Sequence, residues 1–87
     1  MLHSFTIKDT KLKIGEWCKL KRQGYELSQE ELATTLDMSR VTIQKLEGGK
    51  NVTLDTLLKV ANHFGGLETI YELIKQNIED NNHNSLY

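Results

Sequence analysis

The side chains best able to do chemistry are one cysteine, three histidines and a scatter of carboxylates, and their spacing assembles no reaction centre. Cys18 falls on the apolar face of a predicted helix with no histidine near it in sequence, so an inert core thiol is expected. His3, His63 and His83 show no ligand spacing, and a single cysteine excludes both an intramolecular disulfide framework and a cysteine-based zinc site. Glu30 and Glu31 open a predicted helix, where they read as surface and capping acids rather than a glycosidase pair. There is no G-x-x-x-x-G-K-[ST] loop, no H-E-x-x-H and no nucleophile elbow. No enzyme activity, metal or cofactor is therefore expected. The chemistry that remains is binding, through basic and amide side chains.

Charge distribution says where such binding would occur. The net charge of -1 argues against a generic nucleic-acid glue. Yet Lys8, Lys11, Lys13, Lys19, Lys21 and Arg22 face only Asp9 and Glu16 over the same stretch, and Arg40, Lys45 and Lys50 face Glu47 alone. Past Gly66 the balance reverses, with Glu68, Glu72, Glu79 and Asp80 against Lys75. A basic face and an acidic end follow. Phosphate neutralisation is counted at the interface and not over the whole chain, so local patches suffice for a sequence-specific binder.

The element that must position these groups is Leu27 to Gly49. Ser28 is a natural N-cap with Glu31 three residues on, as a capping box requires. The helix it opens carries Leu32 and Leu36 on one face with the small Ala33 beside them. Asp37 and Met38 interrupt the run, Ser39 caps a second helix with Ile43 and Leu46 inward, and Gly48 and Gly49 end it. Two helices of about two turns each, joined this tightly, must cross steeply, with Ala33 at the close approach. That is the geometry of a helix-turn-helix, whose second helix is the reading head.

Around this pair the periodicity predicts an all-α, five-helix domain. Helix 1 is expected from about Thr10 to Gln23, with Ile14, Trp17 and Cys18 inward and lysines outside. Thr53 caps a fourth helix carrying Leu54, Leu57, Leu58, Ala61 and Phe64 inward, and a fifth runs from about Leu67 to Ile78 with Ile70, Leu73, Ile74 and Ile78 as its stripe. Residues 79–87, rich in asparagine, are expected to form a flexible tail after a domain spanning 10–78. Residues 1–9 form an arm in which His3, Phe5 and Ile7 alternate with polar residues. This arm is either a short β-strand used in dimerisation or a flexible segment whose Phe5 tucks against the core. The N-terminus lacks a signal-peptide pattern and no segment approaches the roughly 20 apolar residues that span a bilayer, so a soluble cytoplasmic protein is expected.

From about Lys11 to Ile74 the chain resembles the helix-turn-helix domain of phage repressor and Cro proteins, the Xre family of regulators. The resemblance rests on L-S-Q-E-E-L-A-x-x-L-x-M-S-R-x-T-I-x-x-L-E-x-G over Leu27 to Gly49, followed by T-L-x-T-L-L-K-V-A from Thr53 to Ala61. Asp37 stands where the family usually has glycine in the turn, and aspartate tolerates the left-handed conformation required there. The resemblance implies a DNA-contact set. Gln29 would bond a phosphate while bracing Arg40, and Ser39, Arg40 and Val41 would open the recognition helix with Lys45 one turn on. Arg40 suits guanine O6 and N7, and Val41 a thymine methyl. Thr42 and Gln44 would reach phosphate or base edges, and Lys50 and Asn51 would bind phosphate. The resemblance also implies that Glu47 pairs with Arg22 as a structural tie between helix 1 and the recognition helix.

The expected partner is double-stranded DNA, bound by a homodimer on a palindromic operator. Small relatives of this kind include HipB-like antitoxins paired with HipA-like kinases, controllers of restriction–modification operons and stand-alone phage-type repressors. The N-terminal arm and the acidic tail are surplus to DNA binding and are where a toxin would dock.

Overall fold

Hydroxyl side chains start the first four helices. The computed structural model describes residues 4–84, with α1 at Ile7–Gly24, α2 at Gln29–Thr35, α3 at Arg40–Glu47, α4 at Leu54–His63 and α5 at Leu67–Asn84. Thr6, Ser28, Ser39 and Thr53 each accept a hydrogen bond from the backbone N–H three residues on, at 2.9 to 3.1 Å. The first two are full capping boxes, because Asp9 and Glu31 reach back to the N–H of Thr6 and Ser28. Ser28 lowers the pKa of the Glu31 carboxyl, first through its N–H at 2.8 Å and then through its hydroxyl. Between α2 and α3, Asp37 takes φ 55°, the left-handed turn for which its residue type is suited.

The α2–α3 pair closes on a core of Cys18, Leu32, Ala33, Ile43, Leu46, Val60 and Phe64, with Leu32, Ile43 and Val60 fully enclosed. Ile14, Trp17, Leu27, Leu36, Met38, Val52 and Leu57 pack around it, half-buried. α1 crosses the end of α3 at Gly15. A Cβ there would stand 2.5 Å from the carbonyl oxygen of Glu47 and 2.6 Å from that of Leu46, so the two backbones touch where only glycine fits. Gly66, in the α4–α5 turn, lies under the Trp17 ring in the same way, at 2.7 Å from where its Cβ would be.

Three expectations are corrected. First, α1 begins at Ile7 and not Thr10, because the Thr6–Asp9 capping box nucleates it earlier. Ile7 and Lys8 are thus helical and Ser4–Thr6 irregular, and no β-strand occurs among the described residues. The rest of the expected strand, residues 1–3, lies outside them. Second, Leu54 is 70% exposed and Val60 takes the inward place on α4. Leu54 occupies the first helical position, before the stripe of Leu57, Val60, Ala61 and Phe64 has turned onto the core. Third, α5 runs past Ile78 to Asn84, with no Gly or Pro after Gly66 to stop it and the Asn77 amide donating to the Leu73 carbonyl at 2.8 Å. Residues 85–87 of the expected tail lie outside the described residues.

The molecule measures 51 × 27 × 22 Å. At about 1.5 Å per residue, the 18 residues of α5 span roughly 27 Å. From Tyr71 to Asn82 every residue of this helix is exposed.

Candidate nucleic-acid interface

α3 has two unlike sides. Ile43 and Leu46 are buried against α1 and α2, whereas Arg40, Val41, Gln44 and Lys45 are all exposed. At 3.6 residues per turn these four form one contiguous outward strip. It offers a planar guanidinium, a branched apolar side chain at 54% exposure, an amide and an ammonium group. No ion pair holds Arg40 or Lys45 among the described residues, so both cations remain available to an anionic partner.

The cap of α3 occupies two of the expected contact residues. Ser39 Oγ accepts from the Thr42 N–H at 3.1 Å and lies 2.9 Å from Thr42 Oγ1. Thr42 is half-buried, on the flank of the outward strip. Ser39 remains exposed at the entrance to the helix.

Glu47 anchors the other end of α3. Its carboxylate accepts from Arg22 Nε at 2.6 Å and Arg22 Nη2 at 2.9 Å, the bidentate fork that guanidinium geometry favours. Arg22 Nη1 donates to the Leu27 carbonyl at 2.8 Å, and the Arg22 residue is only 8% exposed. Donating to Glu47 raises the Arg22 pKa further, so the cation persists in its buried setting despite the opposing desolvation. Gln29 Nε2 donates to the same Glu47 carboxylate at 3.0 Å. This corrects the expected brace. Gln29 steadies Glu47 and not Arg40, because the end of α2 that carries it faces the end of α3 and not its start.

Glu47 acts on Cys18 as well. Burial first and the Glu47 charge second push the thiol up to about 11, so Cys18 stays protonated and is no nucleophile near neutral pH. Among the described residues, no group of three or more His, Cys, Asp or Glu side chains could hold a metal ion.

The loop after α3 adds a second basic feature. Lys11 on α1 donates to Asn51 Oδ1, joining α1 to the α3–α4 loop across 40 residues of sequence. Lys11, Lys50 and Asn51 line one groove together with Thr53 and Leu54. Lys50 and Asn51 were expected at such a position and Lys11 was not. The only signal for it was membership of the basic run from Lys8 to Arg22.

An exposed strip on a short helix, crossed and capped as α2 and α3 are, is the geometry of a DNA-reading pair. A family model described as helix-turn-helix matches residues 19–71, more than half of the chain. No curated protein matches it. No helix is long and apolar enough to cross a membrane, among the described residues. The chain belongs to the helix-turn-helix family of Xre/Cro-type DNA-binding transcription regulators.

Proposed function

We propose that the protein regulates transcription by binding a palindromic operator as a homodimer, with α3 in the major groove of each half-site. The observation that carries this reading is the outward strip of Arg40, Val41, Gln44 and Lys45 on a helix whose far end is locked by Glu47. Arg40 would read guanine, Val41 a thymine methyl, and Gln44 and Lys45 the flanking edges or phosphates. Gln29, Ser39 and Thr42 would fix the helix at the groove. Lys50 and Asn51, with Lys11 beside them, would hold the backbone. Two such domains would place their recognition helices about 34–36 Å apart. In a mobility-shift series on operator variants, Arg40→Ala is expected to lose discrimination at one base pair, worth about 1–3 kcal/mol, while retaining nonspecific binding. Full specificity in that mutant would refute the assignment.

A second reading is that the protein is an antitoxin, using apolar surface away from α3 to hold a toxin such as a HipA-like kinase. It is favoured by Phe5 and Ile7, exposed at 79% and 77% beside the start of α1. A controller of a restriction–modification operon would use the same DNA surface.

A further inference from the structure

Beyond Ile70, α5 has an apolar face that none of the described residues buries. No residue from 67 to 82 is buried, and Tyr71, Ile74 and Ile78 are 65%, 55% and 54% exposed. The stretch beyond Tyr71 is about as long as the isolated helices that are marginal in water, and such helices gain stability by packing an apolar face on a partner. Leu67, Tyr71, Ile74 and Ile78 recur at steps of four, three and four, the spacing of a coiled-coil seam. Leu73 falls outside that stripe.

We propose that α5 pairs with α5 of a second copy in antiparallel orientation, about a two-fold axis between Glu72 and Leu73. The proposal deepens the homodimer of the preceding reading and rests on it. In this register every seam residue meets another. Leu67 packs on the partner's Ile78 and Tyr71 on the partner's Ile74, and the same contacts recur on the other side of the axis, as an isologous interface requires. The flanking charges choose the orientation. Glu68 and Lys75 both follow a seam residue directly, and neither is in an ion pair within the chain among the described residues. Antiparallel pairing sets Glu68 beside the partner's Lys75, twice per dimer. Parallel pairing would set Ile70 against the partner's Lys75 and Asn77 against the partner's Asn82, with no ion pair. The remaining acids, Glu72, Glu79 and Asp80, lie on the outer side of the helix and stay solvated.

Sedimentation of the full chain without DNA tests the pairing. Lys75→Glu turns two attractions into two repulsions and is expected to weaken self-association about tenfold. The double variant Glu68→Lys, Lys75→Glu is expected to recover most of that loss. A charge-neutral check is to oxidise a mixture of Tyr71→Cys and Ile74→Cys chains, which should link to each other in preference to themselves. A wild-type dimer that is indifferent to Lys75→Glu, or Tyr71→Cys chains that link only to themselves, would overturn the antiparallel register and leave the dimer standing. A wild type that is monomeric both free and on operator DNA would remove the dimer and the register together.

Discussion

Lys11 and Arg40 are both cations on the proposed DNA side, and their surroundings assign them different work. Arg40 stands on the outward strip of α3, where a planar fork can meet a base edge. Lys11 is held by Asn51 at the lip of the α3–α4 loop, which suits a phosphate that any sequence presents. Lys11→Ala is therefore expected to weaken binding to all operator variants by the same factor. It should also lower the slope of log affinity against log salt by about 1. A changed base preference would contradict the assignment. The two residues also differ in how legible they were. Arg40 was marked by the family resemblance, at its place directly after the Ser39 cap. Lys11 was one of six basic residues in a row of 15, and only the folded crossing sets it apart. Gln29 had the right neighbourhood and the wrong partner, since its bond to Glu47 spans 18 residues and depends on how two helices meet.

The first four helices owe their starts to caps, and the cap of α2 makes stability depend on pH. The Ser28 N–H and hydroxyl hold the Glu31 carboxyl below its ordinary pKa, so the ionised form is favoured more in the folded chain than in the unfolded one. The resulting stabilisation is fully present above the unfolded value of about 4.3 and is lost as pH falls through the lower folded value. Glu31→Gln should thus lower the thermal midpoint at pH 7 and converge on wild type once the pH has fallen below the lowered folded pKa. A gap between the two that stayed constant with pH would place the effect elsewhere. Element boundaries were legible where such a cap sits beside its helix, as at Ser28, Ser39 and Thr53. The start of α1 was masked because His3, Phe5 and Ile7 happen to alternate, and the Thr6–Asp9 box overrides that pattern. The extent of α5 was masked because its polar end carries no stop signal. Gly15 gave no hint at all, as its role exists only where α1 touches α3.

At the scale of the whole molecule, a single carboxylate ties together three helices. Glu47 on α3 receives Arg22 from α1 and Gln29 from α2, and Arg22 in turn holds the Leu27 carbonyl before α2. Removing it would strand a nearly buried guanidinium. Glu47→Ala is expected to destabilise the fold by about 3–5 kcal/mol in denaturant titration, a large share of what a domain this size possesses. Base preference of whatever remains folded should be unchanged. An undiminished midpoint would show that the tie is ornamental. α5 stands apart from this network, since it packs mainly on α4. That separation has a practical use. The only tryptophan in the chain is seated on Gly66, at the turn from which α5 departs. Its fluorescence is a built-in optical gauge of the contact between α1 and the turn from which α5 leaves, readable without any label.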